Sequence, residues 1–268
     1  MSSRSTSPKP EPKKPETRGE RVQKVLAGTG LASRREIDRL IQAGRVVIDG
    51  RPAVPGDRLS GGEKVLVDGR RVRLPRASSA GRGQVLAYHK PIGEITSQRD
   101  PERRRTVFEA LPKAPRGRWI VIGRLDVNTQ GLLLFTTDGE LAHRLMHPRY
   151  GIERDYAVRV RGELGPEQLE SLLAGVPLED GLARFETIEP LRGGRSNSWY
   201  RVRLREGRNR EVRRLIEAVG VTVSRLMRIR YGPVELGRMP RGAHRFLSDA
   251  EREALYAAVD DAEPPGRP

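Results

Sequence analysis

The chain has 268 residues, a length that allows two compact domains, and it contains no cysteine. The absence of thiols excludes a disulfide framework, a cysteine nucleophile and a thiolate zinc site, and it fits the reducing cytoplasm, where we expect the protein. Lysine and arginine outnumber aspartate and glutamate by 51 to 35, so the formal net charge is +16 and a polyanion is the expected partner. No apolar run approaches the roughly 20 residues that span a bilayer, which favours nucleic acid over a membrane.

Composition and turn-forming residues divide the chain into five segments. We expect a disordered tail, a small domain, a linker, a large domain and a second tail, at residues 1–19, 20–68, 69–83, 84–260 and 261–268. The first tail is rich in Ser, Pro and Lys, and Arg, Ser, Gly and Pro are concentrated in the linker.

The small domain is predicted to contain two helices and short strands. Ser33 and Glu36 form a capping box for the second helix, and Asp-Gly turns follow the apolar runs Val46–Ile48 and Val65–Val67. Ordinary solubility charge would explain the arginines that lie off the apolar face of this helix, but we favour a phosphate-binding patch. These arginines are Arg34, Arg35 and Arg39.

Further basic residues lie in a loop-like stretch of the large domain between positions 99 and 118. Charge runs are usually only solvated, but this stretch leads directly to an acidic loop, so we expect contact with an RNA backbone. Its adjacent arginines are Arg103, Arg104 and Arg105. A later strand, beginning near Val223, is predicted to add Arg225, Arg228 and Arg230 to the basic surface.

The large domain is organised around the stretch from Gly123 to Glu140. One acid, Asp126, follows the basic Arg124 and precedes a Gly-led apolar run that is typical of a buried strand. Most loop aspartates cap a turn, and this is the common interpretation. However, Arg124 is close enough to keep a carboxylate ionised, and the flanking apolar runs would hold the loop on rigid strands. An ionised, fixed carboxylate can act as a nucleophile.

Later elements supply other candidate residues. Alternation over residues 156–161 places Tyr156 on the inner face of a strand, where a core tyrosine is the default explanation. A helix that begins near Arg210 carries Arg213 beside its apolar stripe, and a partly buried guanidinium calls for a carboxylate. Arg208 and Arg210, at the start of this segment, are candidate RNA contacts.

The sequence predicts neither a metal site nor a cofactor site. His143 and His147 have the i, i+4 spacing of metal ligands, but no third ligand is in evidence. No phosphate-binding loop or dinucleotide motif is present. Because strands outnumber helices after residue 84 and do not alternate regularly with them, the expected fold class is α+β with a mixed, largely antiparallel sheet.

Several stretches resemble one enzyme family, the pseudouridine synthases, and specifically the RsuA/RluB branch that acts on ribosomal RNA. The signature loop of this family resembles GRLDVNTQGLLLFTTDGELAHRLMHP. Two later family motifs are similar to ERDYAVRV and EGRNREVRRL. The small alpha-L RNA-binding domain, named after ribosomal protein S four, resembles GLASRREIDRLIQAGRVVIDG. The resemblance extends from Glu20 to about Asp260.

The resemblance implies a pseudouridine synthase fold and the isomerisation of one uridine in ribosomal RNA, with the large subunit favoured over the small subunit. It implies that Asp126 is the nucleophile, attacking either carbon 1′ of the ribose or carbon 6 of the base. Arg213 would pair with Asp126, Tyr156 would pack on the base, and Arg124 would brace the position that the uridine leaves. Arg210 stands where the related RluA branch has His, which points to the RsuA/RluB branch. We expect a monomer with ribosomal RNA as its partner, no cofactor and no membrane contact.

Two other functions compete with this interpretation. A non-catalytic RNA-binding protein of ribosome assembly would need only the small domain and the charge. A glycoside hydrolase would need a second carboxylate beside Asp126, and the nearest candidates, Asp138 and Glu140, are better explained as residues of a helix start.

Overall fold

A computed structural model of the protein describes residues 19–74, 82–98, 100–192 and 196–260. The two predicted tails, apart from residue 19, and part of the predicted linker lie outside these residues. The chain divides into two compact units between residues 80 and 81, and each is described by itself.

Within residues 19–74, the small unit contains two helices and two antiparallel sheets. The helices are α1 (Val22–Gly28) and α2 (Arg34–Gln42). The strands are β1 (Glu20–Arg21), β2 (Val46–Ile48), β3 (Arg51–Pro52), β4 (Arg58–Leu59), β5 (Val65–Val67) and β6 (Arg70–Val72). β1 pairs with β4, and the other four lie in the order β3-β2-β5-β6. The predicted cap of α2 forms, since Ser33 Oγ accepts a hydrogen bond from the Glu36 amide at 3.2 Å.

The first residues of the predicted linker belong to this small sheet instead. Asp68 and Gly69 both have positive φ angles, 51° and 73°, which suits the tight turn of a two-residue hairpin. The hairpin returns the chain along β5, where Val72 pairs with Val65. Composition alone therefore ended the small domain too early, because β6 is short and mostly charged.

The large unit is built on one nine-stranded sheet. Its strands, with a separate two-stranded pair β11-β12, are β7 (Val85–Lys90), β8 (Ile120–Ile122), β9 (Gln130–Thr136), β10 (Arg154–Arg161), β11 (Val176–Leu178), β12 (Gly181–Ala183), β13 (Thr187–Arg192), β14 (Asn197–Leu204), β15 (Val223–Tyr231), β16 (Val234–Glu235) and β17 (His244–Phe246). The main order is β13-β14-β10-β15-β9-β7-β17, with β16 on β15 and β8 on β9. Only the β15–β9 pairing is parallel among the described strands. The predicted α+β class with a mixed, largely antiparallel sheet is confirmed.

Helices cover both faces of the large sheet. They are α3 (Gly139–Met146), α4 (Pro166–Ala174), α5 (Glu211–Ala218) and α6 (Asp249–Asp260). α4 and α5 contribute to one apolar core, and α3 and α6 contribute to a second. β9 feeds both, because Leu133 and Phe135 enter the first core while Leu132 and Leu134 enter the second. Because both faces of β9 are buried, the strand is apolar at consecutive positions, which is the pattern from which a buried strand was predicted.

The loop that contains Asp126 lies between β8 and β9, at an edge of β9 along which β8 and β15 pair with different parts of the strand. β8 pairs with the far end of β9 and stops at Ile122, and β15 pairs with the beginning of β9 at Gln130 and Gly131. Gly131 has a φ of 113°, and a Cβ there would lie 2.6 Å from the Arg228 nitrogen and closer still to its oxygen. Only glycine allows β15 to approach at this point. The loop is therefore held between three strands.

Candidate active site

The main chain of the Asp126 loop is held at every carbonyl from residue 125 to residue 129. The Leu125 oxygen accepts a bond from Thr96 Oγ1 at 2.8 Å, and the Val127 oxygen accepts one from the Gly93 amide at 2.9 Å. The Asp126 oxygen accepts from Lys90 Nζ and from the Thr129 amide, both at 3.0 Å. The Asn128 oxygen accepts from Arg213 Nη2 at 3.1 Å, and the Thr129 oxygen accepts from Lys90 Nζ at 2.9 Å. Five consecutive carbonyls with donors fix the loop conformation.

The carboxylate of Asp126 is free of such contacts. The side chain is half-buried, and within the described part of the chain no donor bonds it and no cation lies within 4.0 Å of it. Both Lys90 and Arg213 still feel its charge at longer range. The geometry thus presents a fixed loop whose carboxylate is available to react.

Lys90, the last residue of β7, has a structural position. Its side chain is fully buried and Nζ donates to the oxygens of Pro91, Asp126 and Thr129 at 2.9–3.0 Å. Burial lowers the pKa of Lys90 to about 8, against the opposing effect of Glu94 and Asp126. The buried ammonium joins the end of β7 to the loop.

Arg213 reaches the same loop from α5, but through the main chain. The residue is 8% exposed, and its guanidinium donates to the Asn128 oxygen at 3.1 Å and to the Val223 oxygen at 3.4 Å. The ion pair with Asp126 that the family resemblance implied is not formed at 4.0 Å or less among the described residues, and Arg213 Nε has no hydrogen-bond partner there. Burial lowers the pKa of Arg213 from its ordinary value.

Asp126 opens into a cavity of about 560 Å³, a volume in the range of roughly 300–1,000 Å³ found for ligand pockets. Five of the predicted site residues line it: Arg124, Asp126, Tyr156, Arg208 and Arg210. Other lining residues include Thr129, Arg154, Glu206, Gly207, Glu211, Arg228 and Tyr231. Loops and strands distant in sequence therefore meet around the Asp126 loop.

Tyr156 packs in the core, as expected for an inward-facing strand tyrosine, and it also lines the cavity. It is 9% exposed and belongs to the same apolar core as Val158 and Val160. It lies between Val202 of β14 and Arg228 of β15 in the strand register. The ring is thus held at the point where the core opens to the cavity.

The two arginines that precede α5 differ in their surroundings. Arg210 is exposed and has a φ of 51°. Arg208 donates to Glu206 at 2.9 Å and to three main-chain oxygens of residues 180–182 at 2.9–3.3 Å. Arg208 therefore ties the cavity rim to the β11-β12 pair, which uses most of its donors.

Glu211 is a buried carboxyl group in the cavity wall. It is 3% exposed, Oε2 accepts the Arg208 amide at 3.0 Å, and Oε1 has no hydrogen-bond partner within the described ranges. Burial raises the pKa of Glu211 to about 7, and the neighbouring Glu206 acts in the same direction. This carboxyl group is therefore only partly ionised near pH 7.

The other predicted RNA-contacting arginines lie on exposed surfaces. Arg34, Arg35 and Arg39 are exposed on α2, as predicted. In the loop before β8, Arg104 pairs with Asp100 at 2.8 Å and Arg105 pairs with Glu94 at 3.3 Å, while Arg103 is exposed with a φ of 57°. This loop carries less free positive charge than its sequence suggests.

Two cavity residues were missed at the sequence level. Arg228, which was predicted to be surface, is 2% exposed, and that prediction was wrong. Arg154 was not considered and is 7% exposed. Strand periodicity carried a signal for both, because Arg154 lies two residues before Tyr156 and Arg228 lies two residues after the buried Leu226.

Metal-binding and membrane-spanning features are absent from the described residues. No group of three or more His, Cys, Asp or Glu side chains there could hold a metal ion. Within the same ranges, no helix has the length and apolar character needed to span a bilayer.

The relatives of the chain agree with this geometry. A family described as "RNA pseudouridylate synthase" matches residues 84–218. The chain is 54% identical over 244 residues to "Ribosomal large subunit pseudouridine synthase B" of Escherichia coli (strain K12), covering 90% of this chain and 84% of that protein. The chain belongs to the RNA pseudouridylate synthase family. It is therefore a pseudouridine synthase, an isomerase.

Other relatives support this assignment. The Salmonella typhi protein of the same name is 53% identical over 244 residues, covering 90% of this chain and 84% of its own. The Pseudomonas aeruginosa protein of that name is 50% identical over 243 residues, which cover 90% of this chain and 63% of that protein. The pseudouridine synthase also matches the S4 domain at residues 20–65, in the small unit. A solved structure titled "Crystal structure of pseudouridylate synthase" shares the fold, with a TM-score of 0.60, 24% identity, and coverage of 87% of this chain and 98% of that one.

Proposed function

We propose that this pseudouridine synthase converts one uridine of large-subunit ribosomal RNA into pseudouridine, with Asp126 as the nucleophile. The substrate is inferred from the names of relatives that are 50–54% identical to it. The assignment of Asp126 is supported by one observation above all: its loop is held at five consecutive carbonyls, while its own carboxylate is unbonded and lines a cavity.

The reaction is an isomerisation that needs no outside reactant. The bond between ribose carbon 1′ and uracil nitrogen 1 breaks, the base turns, and carbon 1′ bonds carbon 5. Nitrogen 1 gains a proton and carbon 5 loses one. Asp126 attacks either carbon 1′ or carbon 6 of the base, and its covalent bond to the substrate breaks again when the product forms.

Three other residues have supporting roles in this proposal. Tyr156 packs against the uracil and helps to move the proton lost from carbon 5. Arg213 fixes the loop through the Asn128 oxygen and contributes positive charge near Asp126. Arg124 is exposed at the rim, where it can brace the position that the uridine leaves when it turns out of the stack.

The small unit is proposed to recruit the RNA. Its match to the S4 domain and the exposed arginines Arg34, Arg35 and Arg39 support this role, because guanidinium groups bind phosphate well. We further propose a cytoplasmic monomer. All residues that line the Asp126 cavity belong to one unit of one chain, so the site needs no second copy.

The substrate can be tested by mapping pseudouridines in ribosomal RNA from cells that lack this protein. We expect one large-subunit uridine to remain unmodified, and wild-type protein but not Asp126→Asn should restore the modification. Loss of a pseudouridine from the small subunit only would replace the large-subunit assignment. Unchanged maps in both subunits would contradict the proposed substrate class.

A further inference from the structure

Two buried guanidinium groups in the Asp126 cavity have no carboxylate partner among the residues that the structure describes. Arg154 donates to the Arg205 oxygen at 2.9 Å and to Tyr231 Oη at 3.2 Å. Arg228 donates through Nε to the Leu132 oxygen at 2.8 Å, and its Nη2 has no partner in the described part of the chain. The acidic side chains of these described ranges form no ion pair with either one within 4.0 Å.

Both guanidinium groups lie against one aromatic ring, that of Tyr231. The Cζ atoms of Arg154 and Arg228 lie 5.0 Å and 5.1 Å from the Tyr231 ring centroid. Tyr231 is 1% exposed and donates its hydroxyl hydrogen to the Leu145 oxygen at 2.7 Å, so the ring is fixed. Cation–π contacts stabilise each guanidinium but leave its charge in place.

Glycines lie against both guanidinium groups. The position of a Cβ at Gly123 is 3.9 Å from Arg228 Nη1, and that of a Cβ at Gly207 is 3.7 Å from Arg154 Cζ. Gly123 and Gly207 both line the cavity. Main chain without a side chain therefore covers the two cations at these points of the cavity wall.

The carboxyl groups of the cavity do not compensate this charge. Glu206 is bonded to Arg208 at 2.9 Å, Glu211 has a raised pKa, and the Asp126 carboxylate lies farther than 4.0 Å from both guanidinium groups. Burying a cation without an anion is costly. Two such cations in one cavity are expected where an anionic ligand supplies the missing charge.

The ligand that matches this arrangement is a phosphodiester. Uracil is neutral, so the base alone would leave both charges uncompensated. A phosphodiester carries one negative charge and two unesterified oxygens, which suit the planar donor fork of arginine. We propose that Arg154 and Arg228 bind a phosphodiester group of the RNA strand next to the target uridine. The target nucleotide is then held by its backbone while the base turns over Asp126.

This inference rests on the proposed function, and RNA with a neutral linkage tests it without changing the protein fold. The probe is a short RNA around the mapped uridine with a single methylphosphonate on its 5′ or 3′ side. A matched RNA carries the same 2′-deoxy sugar and an ordinary phosphate. All proteins carry Asp126→Asn, so that the RNA is not converted, and the readout is the dissociation constant.

We expect one of the two methylphosphonates to weaken binding by about 10- to 100-fold, the range for a charge-assisted hydrogen bond. Arg154→Gln should weaken binding of the ordinary RNA by a similar factor and should no longer distinguish it from that methylphosphonate RNA. Arg228→Gln should behave alike, and Arg154→Lys should recover part of the discrimination. Arg225→Gln, an exposed arginine on the same strand as Arg228, is the control and should discriminate as the unchanged protein does.

Two outcomes would overturn the proposal. In one, neither methylphosphonate weakens binding by the unchanged protein. In the other, the methylphosphonate weakens binding by Arg154→Gln protein by the same factor as it weakens binding by the unchanged protein, so that the two increases in the dissociation constant multiply. Failure of the proposed function is distinguishable, because the ordinary RNA would then not be converted by protein with Asp126 intact.

Discussion

Replacing Lys90 by methionine should loosen the Asp126 loop while preserving the packing of the aliphatic stem. Lys90 Nζ serves three carbonyls, but the Asp126 oxygen also accepts the Thr129 amide at 3.0 Å. The Pro91 and Thr129 oxygens therefore lose the ammonium donor. Each unsatisfied buried acceptor costs about 1–3 kcal/mol, and removal of a buried charge offsets part of this. We expect the free energy of unfolding to fall by about 3 kcal/mol.

Urea denaturation of the full chain measures this loss, with Lys113→Met, an exposed lysine, as the matched control. Hydrogen exchange should accelerate at the Gly93 and Thr129 amides, which bond the loop carbonyls. We also expect kcat to fall at least about tenfold with little change in RNA affinity, because a displaced nucleophile costs rate. A change in stability below about 0.5 kcal/mol together with unchanged kcat would refute this reasoning.

Three further predictions concern stability and can be measured by denaturation. Because the pKa of Glu211 is raised from 4.5 to about 7, the folded chain binds more protons than the unfolded chain between these values, and stability should fall as pH rises through them. Glu211→Gln should remove that fall, which is about 3 kcal/mol for a shift of this size; an unchanged pH profile would contradict this prediction. Gly131→Ala should cost several kcal/mol, because its Cβ meets the Arg228 main chain at a positive φ; a loss below about 1 kcal/mol would argue against this. Asp155→Ala should cost about 3–5 kcal/mol, because the carboxylate is fully buried among three arginines, and a neutral effect would show that the cluster is dispensable.

Much of the scaffold could be predicted from the sequence because local patterns determine it. The alternation after Tyr156 gave the buried face of β10, and Ser33 with Glu36 gave the start of α2. Around Asp126 the local pattern indicated a fixed, ionised carboxylate, and its role as the nucleophile was implied by the resemblance to pseudouridine synthases. These features depend on residues close together in the chain.

The rest depends on contacts between distant segments. The burial of Lys90 cannot be predicted locally, because its acceptors include the Asp126 and Thr129 oxygens, which lie 36 and 39 residues away in the chain. Arg228 was assigned to the surface on its charge, although its position in β15 placed it inward. Its burial depends on Leu132 and Tyr231, which no local pattern connects to it. Arg213 likewise reaches Asn128, 85 residues away, rather than the predicted carboxylate.

The central claim is that Asp126 catalyses pseudouridine formation. Tritium release from carbon-5-labelled uridine in large-subunit ribosomal RNA, prepared from cells lacking the protein, tests it most directly. We predict release by the wild-type chain and none by Asp126→Asn, with both proteins binding the RNA to a similar extent. Release by Asp126→Asn at the wild-type rate would contradict the account, because the nucleophile would then have to be another residue.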